Sequence, residues 1–149
     1  MSQSKYVFQC FFRYAGRLRR TLGPGFLESV YQNALAHELR KAGLTVECET
    51  KIQVRYDGLV VGDFSADMCI NHCVLIENKA VQALVPAHEV QLVNYLTATS
   101  IEIGLLLNFG SSRLEFKRKT RIYRPKQLGQ DEQDSQDENQ VTLTSPPIL

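Results

Sequence analysis

The largely apolar stretch DFSADMCINHCVLIENKA, residues 63–80, carries the ionisable side chains of Asp67, Glu77 and Lys79. The Val, Leu and Ile content predicts two adjoining β-strands, with Asp67 in the first and Glu77 and Lys79 near the end of the second. A charge inside a buried strand costs several kcal/mol unless it is paired or binds an ion. Two carboxylates beside a lysine therefore suggest a magnesium site for hydrolysis of a phosphodiester backbone.

The spacing of these residues determines whether they can meet. Glu77 and Lys79 are two apart on one strand, so their side chains share a face. A three-residue connection at residues 71–73 brings Asp67 opposite Glu77, at a cross-strand distance of about 5 Å. A two-residue turn would instead send the two acids to opposite faces, unless a bulge corrected the register. In the first register, Lys79 can hold or deprotonate an attacking water and balance the charge of a phosphate.

A further acid is predicted on the inward side of a helix. Glu28 lies within about 60° of Tyr31 and about 20° of Leu35, which belong to the buried stripe of the second helix. An inward acid is either satisfied by a partner or functional. The alternative for Glu28 is a carboxylate at the rim that reaches solvent.

The third helix carries a polar stripe. His88, Gln91 and Tyr95 are spaced at i, i+3 and i+7 and so line one side of the helix. Gln91 and Tyr95 can orient a metal ligand or a phosphate. The alternative is an ordinary amphipathic helix in which Tyr95 belongs to the core and Gln91 caps the sheet edge.

The elements that must position these side chains follow from hydrophobic periodicity and turn signals. The predicted order is α-α-β-β-β-α-β-β, an α/β arrangement without internal repeats. The predicted ranges are helices 4–21 and 26–42, strands 45–56, 59–70 and 73–79, helix 86–99, and strands 101–109 and 114–119.

Composition predicts one folded domain. The chain has 149 residues, of which 44% are hydrophobic, enough to bury a sizeable core. No apolar run is long enough to span a membrane, and the first residues are not typical of a signal peptide. Four cysteines without CxxC spacing favour a reducing, cytoplasmic compartment. A zinc site at Cys69, His72 and Cys73 is the weaker alternative, because it lacks a fourth ligand.

The charges are unevenly distributed. All 17 Lys and Arg residues lie at or before Lys126, while five of the 16 acids follow it. We therefore predict a single basic domain over residues 1–126 and a disordered acidic tail over residues 127–149. A basic body is compatible with nucleic-acid binding but does not require it.

The motifs together resemble a known family. GFLESVY, with Gly25, Glu28 and Tyr31, is similar to the motif of the GxxExxY proteins, a branch of the PD-(D/E)XK nuclease superfamily. Asp67, then ENK at 77–79, then QLVNY at 91–95, resemble the D…ExK…QxxxY order of its RecB-like nucleases. The segments LGPGFLESVY, HEVQLVNYL and GLLLNFG also look like this branch. The resemblance covers roughly residues 15–121, and the ordered set is far more specific than an isolated ExK.

The resemblance implies a restriction-endonuclease-like fold, a mixed central sheet flanked by helices. It also implies that Asp67 and Glu77 bind Mg²⁺, or Mn²⁺ in its place, with the main-chain carbonyl of Asn78 as a further ligand. Lys79 would be the catalytic lysine. The family pattern places three more side chains at the site, namely those of Glu28, Gln91 and Tyr95. The chain departs from the pattern at Ser65, where many relatives carry a basic residue, so a phosphate contact is not implied there.

Three functions follow as hypotheses. The leading one is a metal-dependent nuclease that hydrolyses DNA or RNA. The second is a catalytically weak or inactive module of the same fold that grips nucleic acid through basic residues, and the third is a protein-interaction adaptor. The basic residues in question are Arg17, Arg19, Arg20, Lys117, Arg118, Lys119 and Arg121. Enzymes of this fold often act with a partner, so a homodimer or a partner protein is also compatible, whereas a membrane partner is not expected.

Overall fold

The computed structural model describes residues 2–121 and the backbone of residues 141–142. The order of elements through β5 is the predicted one, followed by a two-residue strand. The elements are α1 (Gln3–Leu22), α2 (Glu28–Lys41), β1 (Val46–Tyr56), β2 (Leu59–Ile70), β3 (Val74–Lys79), α3 (Pro86–Thr99), β4 (Ile103–Asn108), β5 (Glu115–Thr120) and β6 (Val141–Thr142).

The sheet is mixed and has the strand order β5-β4-β3-β2-β1-β6. β3 and β4 run parallel, as α3 connects them, and every other neighbouring pair is antiparallel. One core packs α1 and α2 against the sheet and includes Phe11 and Leu35. A second core packs α3 against the sheet and includes Leu92 and Leu96. The predicted α/β architecture with helices flanking a mixed sheet is confirmed.

The turn between α1 and α2 needs backbone conformations that favour glycine. Gly23 ends α1 with φ of 70°, and Gly25 has φ of 109°. The buried Tyr31 hydroxyl donates to the carbonyl of Gly23 at 2.6 Å and accepts from the N–H of Phe26 at 3.3 Å. The Tyr31 ring also stacks on Phe109, with ring centroids 4.6 Å apart. One buried side chain on α2 therefore holds the turn that precedes Glu28.

The ribbon of β1 and β2 changes face halfway along its length. Met68 packs in the core under α1 and α2, whereas Ala66, two residues away, packs in the core under α3. Residues two apart on a regular strand share a face, so the alternation is interrupted between them. The interruption lies at Asp67 and at Glu49, which is opposite it on β1 and has a left-handed φ of 56°.

The predicted acidic tail, residues 127–149, lies outside the described residues except for Val141–Thr142. The backbone of those two residues pairs with Val54 and Gln53 of β1. Across residues 2–121, none of the helices combines the length and apolar character required to cross a bilayer. The four cysteines are free thiols.

Candidate active site

The carboxylates of Asp67 and Glu77 bridge β2 and β3. The strands pair as far as Met68 and Ile76, in the register that a three-residue connection predicts. Beyond that pair, the N–H of Asp67 donates to Glu77 Oε1 at 2.9 Å, and the N–H of Asn78 donates to Asp67 Oδ2 at 2.8 Å. Each acid thus accepts a backbone hydrogen bond from the opposite strand, which fixes the two side chains beside each other.

Burial and neighbouring acids raise the pKa values of both carboxyl groups. Glu77 is only 4% exposed, and burial, followed by the charge of Asp67, raises its pKa to about 8. Burial likewise raises the pKa of Asp67 to about 6, with Glu49 and Glu28 adding to the rise. The N–H of Asn78 and the charge of Lys79 only partly oppose the rise in the pKa of Asp67. In the metal-free protein, at least one proton therefore stays on the pair near neutral pH.

These two acids fit a divalent cation with oxygen ligands. The interstrand hydrogen bonds occupy one oxygen of each carboxylate, which leaves the other for a cation. Within residues 2–121, no group of three or more His, Cys, Asp and Glu side chains is arranged to enclose a metal. Mg²⁺ in proteins commonly uses one or two carboxylates and completes its shell with water and substrate phosphate. The donor set present therefore suits Mg²⁺ and does not suit a closed zinc site.

Lys79, Gln91 and Tyr95 form a polar chain on the α3 side of this pair. Lys79 Nζ lies 3.5 Å from Gln91 Oε1, and Gln91 Nε2 donates to the Tyr95 hydroxyl at 3.1 Å. Burial raises the pKa of Tyr95, and the charge of Glu77 raises it further. α3 therefore places Gln91 between the lysine and the tyrosine.

Glu28 is exposed, yet it belongs to the same region as Asp67. Both line a cavity of about 510 Å³ between the start of α2 and the sheet. The charge of Glu28 is also among the causes that raise the pKa of Asp67. His88, which shares the stripe of Gln91 and Tyr95, is not part of this cluster, because its Nδ1 accepts from the N–H of Val85 and caps α3.

Sequence reasoning missed a third acid on this cavity, Glu49. Gln32 Nε2 donates to its Oε1 at 2.9 Å, and Ser65 Oγ donates to its Oε2 at 2.8 Å. Ser65, which departs from the family pattern, thus holds a carboxylate in this chain. The sequence around Glu49 does not indicate this contact, because the left-handed backbone of Glu49 is not visible in an alternating strand pattern.

Most of the basic residues proposed to grip nucleic acid make contacts within the fold. Arg19 donates to the carbonyl of Ser111, and the guanidinium of Arg118 lies 4.7 Å from the centre of the Phe8 ring. Ion pairs of Lys119 and Lys117 with Glu89 join β5 to α3. A further ion pair joins Arg121, just after β5, to Glu102, just before β4. The positive charge of β5 is therefore partly neutralised by neighbouring acids.

Comparison with known proteins gives a family match and a similar fold. The family model of the PD-(D/E)XK nuclease superfamily matches residues 4–119. The fold is similar to the crystal structure of SSO0001, with a TM-score of 0.52 and 23% identity over 65% of this chain. The match spans 52% of the SSO0001 chain, so this protein corresponds to about half of it. No curated protein sequence matches the chain. With two strand-bridging carboxylates, a lysine two residues further on and a family match over nearly all described residues, the chain belongs to the PD-(D/E)XK nuclease superfamily.

Proposed function

We propose that this protein is a metal-dependent nuclease that hydrolyses phosphodiester bonds of DNA or RNA. The observation that carries the proposal is the reciprocal bridge between Asp67 and Glu77, with Lys79 next to Glu77 on the same strand face. A buried Glu77 and a half-buried Asp67 with raised pKa values are costly to keep side by side. A bound cation offsets that cost, which accounts for the presence of two neighbouring carboxylates.

Each residue has a distinct role in the proposed reaction. Asp67 and Glu77, with the main-chain carbonyl of Asn78, hold Mg²⁺ or Mn²⁺. The ion would supply a Lewis acid for the phosphate and a bound water of lowered pKa. Lys79 holds the attacking water and balances negative charge on the phosphate. Gln91 positions Lys79 through the contact between Oε1 and Nζ.

The finer assignment to the GxxExxY branch rests on Gly25, Glu28 and Tyr31. Tyr31 supports it structurally, because its hydroxyl ties down the glycine-rich turn through Gly23 and Phe26. That turn fixes the start of α2 and with it the position of Glu28 on the cavity wall. In this proposal Glu28 orients a water in the cavity from the side opposite α3.

The proposal is tested by incubating the full chain with single- and double-stranded DNA and RNA, in Mg²⁺, in Mn²⁺ and in EDTA. We expect cleavage of at least one substrate that requires the cation and is lost in Asp67→Asn. Lys41→Ala is the matched control, because Lys41 is exposed at the end of α2, away from the site. Cleavage that persists in EDTA or in Asp67→Asn would contradict the proposal.

A further inference from the structure

A second cavity of about 500 Å³ lies between the β1–β2 ribbon and α3. Two of its lining residues, Gln91 and Tyr95, belong to the candidate active site described above. The cavity therefore opens beside that site. Among residues 2–121, none of the side chains that line it carries a charge. The other lining residues are Ile52, Val54, Phe64, Ala87, Val90, Asn94, Thr97 and Ala98.

The aromatic ring of Phe64 forms one side of this cavity. It is 48% exposed, and it tilts toward Tyr95 with ring centroids 6.1 Å apart. The ring lies over Gly62, where an added Cβ would come within 2.7 Å of it. The absence of a side chain at residue 62 therefore lets the Phe64 ring lie flat along the strand.

We propose that this cavity takes one nucleobase of the substrate, stacked on Phe64, while the neighbouring phosphate reaches Asp67, Glu77 and Lys79. The inference rests on the proposed nuclease function and names its substrate class. A base can enter the cavity only when it is unpaired, so the substrate is a single-stranded nucleic acid or an unpaired segment of a duplex.

The chemistry of the cavity favours a base over other apolar ligands. A flat, partly exposed ring offers stacking, which every base can use. Gln91, Asn94 and Thr97 place amide and hydroxyl groups on the helix side, where they can meet the polar edge of a base. The lack of charge among the described lining residues separates base recognition from phosphate binding. Because Gln91 and Tyr95 are shared, the base site is continuous with the site for the phosphate.

Three variants separate stacking from simple apolar contact. Phe64→Leu keeps an apolar side chain and removes the flat ring, whereas Phe64→Trp keeps a flat ring. Leu59→Ala is the control, because Leu59 is 68% exposed on the same strand and does not line the cavity. The affinity of the full chain for a fluorescent single-stranded oligonucleotide is measured by anisotropy, with Ca²⁺ replacing Mg²⁺ to limit cleavage.

We expect Phe64→Leu to weaken binding about 5- to 150-fold, as base-stacking contacts do, while Phe64→Trp and Leu59→Ala stay near the parent. The parent should bind an oligonucleotide with consecutive abasic sugars more weakly than a normal strand, by a similar factor. For Phe64→Leu, the loss of the bases should weaken binding little further. Equal affinity of parent and Phe64→Leu, or equal affinity for normal and abasic strands, would overturn the proposal. A change in self-association of Phe64→Leu with unchanged oligonucleotide affinity would assign the cavity to a second copy and overturn it as well.

Cleavage in Mg²⁺ separates this inference from the proposed function. If the parent cuts nucleic acid and Phe64→Leu cuts single strands equally well, the nuclease stands and the base site is wrong. If oligonucleotides bind through Phe64 but are never cut, the base site stands and the nuclease is wrong. A parent that does not bind oligonucleotides at all overturns both.

Discussion

Asp67 and Glu77 accept hydrogen bonds across the β2–β3 pair in place of the regular backbone ladder. The distances from nitrogen to oxygen are 2.9 Å for Glu77 and 2.8 Å for Asp67. The N–H groups that they satisfy are those of Asp67 itself and of Asn78. The two acids are thus part of how the strands are joined and also the most perturbed carboxylates of the site. Each variant at this pair should therefore change both stability and cation binding.

The metal-free protein should lose stability as pH rises. Glu77 has a pKa of about 8 and Asp67 of about 6, both above their ordinary values. Between about pH 4.5 and 8 the native state keeps protons that the unfolded state has released, so the free energy of unfolding falls with pH. Glu77→Gln imitates the protonated acid and should show a smaller fall. Urea denaturation of the parent and of Glu77→Gln in EDTA, at pH 5 and pH 8, measures the decrease. An equal decrease in the free energy of unfolding of the two proteins would contradict the prediction.

Cation binding should show the opposite pH dependence. Both carboxylates must be deprotonated to bind a cation, so the affinity for Mg²⁺ should rise between about pH 6 and pH 8 and binding should release protons. Calorimetry in two buffers of different ionisation enthalpy counts the protons released. A Mg²⁺ affinity that is constant across this range, or unchanged in Asp67→Asn, would argue against a site on this pair.

Tyr31→Phe tests whether the motif tyrosine positions Glu28. It removes one hydroxyl that serves both Gly23 and Phe26, and about 1–2 kcal/mol of stability should be lost. Cleavage should fall by more than this stability loss explains, because the start of α2 is loosened. Tyr6→Phe is the control, since its exposed hydroxyl donates to the carbonyl of Ala42 at 3.2 Å, away from the site. Equal activity of both variants would make Tyr31 a structural residue only.

The left-handed backbone of Glu49 makes a distinct prediction. Glu49→Gly and Glu49→Ala lose the same contacts with Gln32 and Ser65, but only glycine tolerates φ of 56° without a steric cost. Glu49→Gly should therefore be more stable than Glu49→Ala, by about 1 kcal/mol. The difference is read from urea denaturation of the two variants. The reverse order of stability would mean that the backbone at residue 49 is extended.

The order of elements followed from the sequence pattern, and the mixed sheet followed from the family resemblance. The meeting of Asp67 with Glu77 was expected for a three-residue connection and not for a two-residue turn, and the register of the three-residue connection is the observed one. Glu49 could not be predicted from the sequence. Its strand alternates regularly, and the change of face at Glu49 and Asp67 depends on which helix covers each half of the ribbon. The pairing of Val141–Thr142 with β1 was also missed, because a short polar segment carries no periodic signal.

The single-turnover cleavage rate of Lys79→Ala, with a Mg²⁺ titration of the same purified variant, separates the part of Lys79 in turnover from any part in cation binding. Lys79 lies at the end of β3 and is half-buried, so its loss should leave the fold intact. We predict that cleavage falls about 10²- to 10⁴-fold, as loss of a group that activates water does, and that Mg²⁺ binds at least as well because a competing charge is gone. Lys79→Arg, which keeps the charge, should recover part of the rate. A Lys79→Ala protein that is folded, binds Mg²⁺ and cuts as fast as the parent would contradict the proposed catalytic role of Lys79.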